Sequence, residues 1–474
     1  MSNPEYTNPD KALRTGEVAI NKVLMIDRLN QSLDISLMMA EINLFGELLS
    51  PFMTGSIILN DNIGLLYETP LNGEETLILS LTSSMSQTNK NIIKVFKVVS
   101  IDKILTTAEG STKTYELHLI SIIGYLNNLY RIKKRYDGNC THIVKDIVEE
   151  YFYTPYNDWI ESIDDAETRE QAQGSIEFLE DFIGKLHMPT VNNVSFVAAN
   201  WTPAYTINWI ATRAIADTPA EMGVESASYV FSETLEKLIW APLEELIFVG
   251  RIKASPFYKN ILGIWRFEYF PGSASRDPAQ NYKTIIGFKH SKYINQLAAQ
   301  ESGLLASQVE VYDVITKRYR KEQIDWIEKH REFARIEDYR EQEGIHYPDV
   351  GRYTFPFSPR LQRSYDNHTY SILTHNQAFP GFEGYTPERS AQQRNFRFAA
   401  FGQMALKITV YGRFEMTPGS IVHLDLPVNT PDPDRKARYV SGYYMVFAVR
   451  HKITLADHFT YAEIAKDSTR AILK

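Results

Sequence analysis

The groups in this sequence that could do chemistry are few and scattered. Cys140 lies beside Thr141 and His142 at the start of a predicted helix, where a thiolate pKa can fall. No orienting group adjoins it in the sequence, so inert packing is the reading. Glu149/Glu150 and Asp164/Asp165 offer adjacent carboxylates. A glycosidase needs two carboxylates facing each other across a cleft, and adjacency in sequence does not supply that. His368/His375 and His451/His458 are each seven residues apart. That spacing shares one side of a helix, but the second pair falls in a predicted hairpin, so these read as ordinary surface or core histidines. The run RIKKRY at 131–136 could hold a phosphate; in a chain of net charge −8, pairing with acidic neighbours is the expectation. No G-x-S-x-G elbow, Walker loop, H-E-x-x-H or C-x-x-C occurs. The sequence therefore assigns no catalytic, cofactor-binding or metal-ligating residue and calls for no cofactor.

Composition narrows the classes further. The chain has 474 residues, 44% hydrophobic and 23% charged, which is ordinary for a folded protein with several domains. Twenty-eight tyrosines favour strands and contact surfaces. A net acidic balance argues against a nucleic-acid grip. From Asp158 to Asp181 nine acids stand against Arg169 alone, an excess as large as that of the whole chain. The acidity is thus local, a solvated insertion or an assembly face. The first residues carry no apolar segment of the secretory kind, and no apolar run is long enough to cross a membrane as a helix. Cys140 is the only cysteine, so no intrachain disulfide can form, and a reducing cytoplasm is expected for folding.

The elements follow from periodicity. Residues 1–14 read as a flexible arm. Leu33, Ile35 and Leu37 alternate with polar residues and predict one buried strand face. Ile57-Ile58-Leu59 predicts a strand ended by Asn60-Asp61-Asn62, and Leu77, Leu79 and Leu81 alternate again. Asn139 or Thr141 caps a helix whose stripe is Ile143, Val144, Ile147, Val148, Tyr151 and Phe152. Ser175 starts a short helix with Ile176, Leu179, Phe182, Ile183 and Leu186 inward, and Thr202-Pro203 opens another with Ile207, Trp209, Ile210 and Ala214. Tyr229–Phe231 and Leu238–Trp240 read as strands, as do Val309, Val311, Val314 and Ile315. Residues 317–343 are dense in both charges and read as a solvated helix. Residues 346–395, rich in Pro, Tyr and Phe, read as an extended ordered loop. A short helix from Phe396 and the strand Leu406–Tyr411 lead to the C-terminal region.

One feature occurs twice. A hairpin over 91–121 carries Val95-Phe96-x-Val98, then Lys103-Ile104, a turn around Ala108, Glu109 and Gly110, and Tyr115-Glu116-Leu117. A second over 443–468 carries Val446-Phe447-x-Val449, then Lys452-Ile453, a turn near Asp457, and Tyr461-Ala462-Glu463-Ile464. The first arm is two residues shorter in the second copy, an even offset that keeps the pleat faces. Each follows a glycine turn and a strand, Asn72-Gly73 before Thr76–Leu81 and Thr417-Pro418-Gly419 before Ile421–Leu426. An internal duplication is the reading. Arms this long can lend an edge to a neighbouring subunit.

With these residues in place, the chain resembles the central baseplate hub proteins of contractile-tailed phages of the T4 type, which are related in fold to the hub part of type VI secretion spikes. Residues 47–81 look like the family's first tube-domain strands, and 121–152 like its exit into the middle domain. Residues 201–215 and 228–240 resemble a helix and strand pair there, and 403–427 is the clearest match. The acidic segment, the charged segment and the aromatic loop depart from the pattern. The resemblance implies an α+β, mainly antiparallel β fold, with two similar tube-type β-barrel domains and a mixed α/β middle domain with insertions. The expected division is 1–125 for the first tube domain, 126–281 plus 319–395 for the middle domain, and 282–318 plus 396–474 for the second tube domain. Val95, Phe96, Val98, Tyr115, Leu117, Val446, Phe447, Val449, Tyr461 and Ile464 are then tube-hairpin residues. The function implied is a non-enzymatic homotrimeric ring. Its six tube domains adapt a hexameric tail tube to a trimeric central spike and form part of a DNA channel. The implied partners are the spike, the tube or its initiator and inner baseplate proteins, with DNA only in passage. The implied location is the tail baseplate of a virion, assembled in the host cytoplasm. The alternatives are a tail-associated peptidoglycan hydrolase using the acidic segment, and a receptor- or glycan-binding protein using the loop around Tyr353, Phe355, Tyr365 and Tyr370.

Overall fold

The structure, a computed structural model, describes residues 16, 18–27, 31–68, 71–83, 91–106, 113–185, 187–217, 226–253, 266–269, 281–329, 333, 335–337, 339–342, 345–348, 357, 361–374, 387–427, 437 and 439–469. The turn expected at 108–110, and Tyr353, Phe355, Leu186 and His375, lie outside them.

The fold is mainly antiparallel β with helices, organised by one large sheet. Its strands, numbered here in chain order, begin with β1 (Val18–Ile26), β2 (Ser32–Asp34), β3 (Met39–Glu47) and β4 (Thr54–Asp61). β5 (Thr76–Ser83), β6 (Ile92–Thr106) and β7 (Lys113–Ser121) complete the N-terminal part. β8 (Arg266–Glu268), β9 (Ile285–Tyr293), β10 (Met404–Tyr411), β11 (Ile421–Asp425), β12 (Gly442–Thr454) and β13 (His458–Lys466) form the rest. The spatial order is β9-β10-β13-β12-β3-β4-β7-β6-β5-β1-β2, with β11 on the other end of β12 and β8 on β11. Among the described residues this path joins both hairpins into one continuous sheet.

The duplication is present in the hydrogen bonding. β4-β7-β6-β5 and β10-β13-β12-β11 have the same order and the same antiparallel sense. One extra residue, Val99, bulges between Val98 and Ser100 against Leu119 and His118; Phe447 bulges between Val446 and Ala448 against Ile464 and Glu463. The Val98 amide donates to the Glu75 carbonyl at 3.0 Å, and the Val446 amide to the Ser420 carbonyl at 2.8 Å. Val98 is therefore the counterpart of Val446. The sequence motifs, which align Val95 with Val446, are out of step with this register by three residues. Side-chain identity misled because Val95–Val98 ends before the bulge while Val446–Val449 spans it, so like residues sit at unlike pleat positions. A second shared bulge lies between Met39 and Glu41 on β3 and between Ile285 and Gly287 on β9. The turns into β5 and β11 place Gly73 at φ +89° and Gly419 at φ +83°, the left-handed region that glycine enters without a Cβ penalty.

In the N-terminal copy the sheet is buried on both faces over residues 23–26 of β1, 76–81 of β5 and 92–98 of β6. Val23, Met25, Leu77, Leu79 and Phe96 point into the copy's own core. Leu24, Ile78 and Val95 point into a second core beneath the helices of the middle domain. That helical layer includes Cys140–Val148, capped by Asn139, whose side chain accepts from the Thr141 amide. A π-helical turn over Glu149–Tyr153 carries the stripe on to the buried Phe152. Pro203–Ala211 is capped by Thr202. Asp158–Asp181 folds as short helices, and all nine of its acids are exposed. Ile176, rather than Ser175, caps the helix Glu177–Gly184; Ser175 is buried against the Tyr156 hydroxyl.

Several expectations are corrected. Leu33, Ile35 and Leu37 do not share a buried face: Ile35 is buried, but Leu37 is 99% exposed. The Asp34 carboxylate accepts from the Ser36 amide at 2.9 Å, turning the chain into a 3-10 turn over Ser36–Met38 and ending the strand period. The charged segment is not a helix through its length. Arg318–Asp325 is a strand paired with Ala306–Asp313, which also takes Thr369–Thr374 in parallel. Backbone pairing and cross-strand contacts such as Glu310 opposite Lys321 outweigh helix propensity there. Val314 and Ile315 are exposed in the turn between those strands. The expected loop contains the strand Thr369–Thr374, and the helix expected from Phe396 begins at Pro387. β8 pairs with β11, and Ala306–Asp313 belongs to a separate three-stranded sheet.

A buried ion pair locks the first copy to the middle domain. Lys94 Nζ of β6 lies 3.0 Å from Glu233 Oε1 and 3.7 Å from the Phe178 ring centroid. The other Glu233 oxygen accepts from the Met53 amide at 3.1 Å. Burial lowers the Lys94 pKa, and the charge of Glu233 opposes that shift. Replacing Glu233 by Ala strands a buried ammonium and is expected to cost about 3–5 kcal/mol. The apolar pair Lys94→Met with Glu233→Leu is expected to recover most of it. Denaturant unfolding of the three proteins checks this.

Candidate functional site

The sheet has a seam where its two copies meet. β12 uses its first half to pair with β11, from Gly442 opposite Leu424 to Met445 opposite Ile421. Its second half pairs with β3, from Ala448 opposite Glu47 to Thr454 opposite Glu41. The seam is charge-matched. Glu41 lies 2.9 Å from Lys452 Nζ and 3.7 Å from Arg450, and Asn43 Oδ1 accepts from Arg450 Nε and Nη2 at 2.9 and 2.8 Å. Burial alone would raise the Glu41 pKa. Hydrogen bonds from Lys452 and Asn43 and the two cationic charges hold it below the usual carboxylate range.

A groove of about 350 Å³ runs over this seam, lined by Phe45, Glu47, Phe52, Lys407, Arg450 and Tyr461 among others. Beneath the seam two histidines meet. His451 Nδ1 lies 3.2 Å from His458 Nε2, and Phe414 covers the His458 ring at 4.4 Å between centroids. Burial pushes the His451 pKa down to about 3, and burial together with His451 pushes His458 well below its ordinary value.

The tube-hairpin residues named from the sequence divide into two kinds. Phe96, Val98, Tyr115 and Leu117 fill the N-terminal core, and Val95 faces the middle domain. Val446, Val449 and Ile464 fill the C-terminal core. Phe447 packs at its margin on Phe401, with 5.4 Å between ring centroids. Only Tyr461 is exposed, at 38%, and the Arg450 guanidinium lies over its ring at 5.5 Å. Apart from Tyr461, these residues are therefore interior to the hairpins. The residues on offer to a partner are others. Val99, Ile104 and Leu105 on β6, and Ile286, Phe288 and Tyr293 on β9, are large, apolar and 36–67% exposed. The bulge at Val99 is the signal the sequence hid, since it ends the buried alternation begun at Val95.

The chemical candidates are structurally engaged. The Cys140 thiol is buried against the Asn192 carbonyl, and burial pushes its pKa up to about 12, which suppresses the thiolate. Asp165 caps the helix Ala166–Gln173, and hydrogen bonds from the Thr168 side chain and amide lower its pKa, the opposite of what a general acid needs. Within the basic run, Lys134 pairs with Glu150, and Arg135 with Asp137 at 2.9 Å. Among the described residues no group of three or more His, Cys, Asp or Glu could hold a metal ion, and no helix is long and apolar enough to cross a membrane.

Comparison with known proteins adds the following. No family model and no curated protein matches the chain. Solved structures do match it. A tail protein from Neisseria meningitidis MC58 aligns at 10% identity and TM-score 0.48, over 94% of this chain and 96% of that one. A 43 kDa tail protein of prophage MuSo2 from Shewanella oneidensis aligns at 7% identity and TM-score 0.45, over 94% and 98%. The Escherichia coli c3393 protein, a component of the type VI secretion system, aligns at 9% identity and TM-score 0.40, over 96% and 78%.

The histidine pair makes stability depend on pH. Both folded pKa values lie below the unfolded value of about 6.5, so the unfolded chain takes up protons that the folded chain refuses. Stability is expected to fall as pH drops below about 6.5, by about 1.4 kcal/mol per pH unit for each histidine. A His451→Asn/His458→Gln variant is expected to show a shallower slope between pH 7 and 5 in thermal melts.

Proposed function

We propose that the chain is a non-enzymatic hub of a contractile tail. Three copies form a ring whose two tube domains per chain present pseudo-sixfold symmetry to a tail tube and true threefold symmetry to a central spike. The observation that carries this reading is the duplication. Two units with the same strand order and two shared bulges lie side by side in one sheet, so each chain could supply two of six similar positions. The sequence resemblance to baseplate hub proteins supplies the biological setting. A duplicated domain lets a trimer match a hexamer without six separate chains. In this reading the spike, the tube or its initiator and inner baseplate proteins are partners. The ring encloses part of the DNA channel; a neutral or acidic lining would let DNA slide without adhering. The tube units centre on 18–121 and on β8–β13, and the middle domain packs against both. The particle belongs to a virion tail, assembled in the host cytoplasm.

Mass determination and electron microscopy of the purified chain test the proposal, alone and mixed with its cognate spike. A three-subunit ring with six similar lobes is expected. A particle that stays monomeric in both conditions overturns it.

A further inference from the structure

The seam between the two copies is made by one end of each copy, and each copy leaves its other end open. The seam pairs the second half of β12 with β3. By strand order and shared bulges, β6 is the counterpart of β12, and β9 is the counterpart of β3. β6 pairs with β5 only through Ile92–Lys97. From Val99 to Thr106 its side away from β7 has no strand partner among the described residues, although β12 fills the equivalent side with β3. β9 pairs with β10 on one side and ends the sheet path on the other.

We infer that the second half of β6 pairs antiparallel with β9 of a second copy of this chain, repeating the internal seam between subunits. This rests on the ring reading above and names the surface that closes the ring. The contact is heterologous, since one edge of each chain meets the other edge of the next; such contacts close into rings when the rotation allows. Alternation of the internal and the new seam then gives every tube unit the same two neighbours.

The internal seam fixes the register. Arg450 faces Phe45 there. Their counterparts, traced through the bulges and the pairings of β4 and β10, are Asp102 and Lys292. Ile101 then faces Tyr293. The chemistry fits this pairing. β9 is basic at Lys289 and Lys292, and Asp102, whose carboxylate is exposed and lies 3.1 Å from His118 Nε2, would stand opposite Lys292. Lys103, the next residue, is paired with Glu116 at 2.5 Å. Val99, Ile104, Leu105, Ile286, Phe288 and Tyr293 are the apolar groups that the pairing would cover. An open, largely apolar edge of this length is a pairing template that a solitary chain would need to block.

The test joins the two edges covalently. Asp102→Cys and Lys292→Cys are introduced together, and each alone as controls; both side chains are at the surface, and the native Cys140 is buried. Under mild oxidation the double variant is expected to give covalent dimers and closed trimers on non-reducing gels. The single variants are expected to give neither, and an equimolar mixture of them only dimers. Because strand pairs can slip, Ser100→Cys with Lys292→Cys is run alongside. A particle that remains trimeric by mass while no pairing cross-links overturns this interface and leaves the ring reading standing. A chain that stays monomeric even with its spike overturns both. A second variant set reads the same interface without thiols. Asp102→Lys and Lys292→Asp are each expected to weaken the trimer, and the two together to restore it; a trimer unmoved by either reversal counts against the pairing.

Discussion

An antiparallel seam between β12 and β3 holds this molecule together as one body. Edge strands carry rows of unpaired amides and carbonyls, and burying them requires a partner. Each copy here offers such an edge, and the chain satisfies one from each copy by joining them. The seam joins residues some four hundred positions apart in sequence, so forming it carries a large loop-closure cost. The N-terminal end reinforces it. The Gly16 amide donates to the Tyr282 hydroxyl at 2.8 Å, and its carbonyl accepts from the His458 amide at 2.8 Å, so the first described residue is pinned to the C-terminal copy.

The two copies preserve backbone geometry more closely than side chains. Bulges recur at Val99 and Phe447, and at Ala40 and Ile286, while the residues around them differ in size and charge. Asp102 stands where Arg450 stands, and Glu116 where Tyr461 stands. A bulge bends and twists a strand whatever its side chains, so it fixes the curvature that neighbouring strands must match. Side chains are then free to diverge wherever a different neighbour is met. The opposite charges at the two equivalent edges are a divergence of this kind.

The middle domain is bound to both copies by buried charge as well as by apolar packing. Lys94 and Glu233 join it to the first copy. On the other side Arg397 lies 2.7 Å from Glu244 and 3.1 Å from Asp467, joining the long C-terminal helix to the helix Leu243–Lys253 and to the end of the chain. Buried pairs of this sort add little net stability over apolar replacements, because desolvation offsets their attraction. Their effect is on geometry, since a misplaced partner leaves a bare charge in the core.

Much of this was legible in the sequence. Period-two alternation gave β5 and β6, side-chain capping gave the helices after Asn139 and Thr202, and the exposed acids from Asp158 to Asp181 follow from composition alone. The repeat itself was visible, because hairpins bury alternate apolar residues and leave a pattern. Its true register was not visible. A bulge is a property of hydrogen bonding, which shifts the pleat by one residue without any distinctive residue type. The charged strand Arg318–Asp325 was also hidden, because its six leading residues are exposed and only a partner strand makes them β. The same limit applies to the assembly surface. The ten hairpin residues picked out by sequence are mostly core, since periodicity detects burial. The open edges of β6 and β9 emerged only when tertiary structure showed which strand sides were already taken.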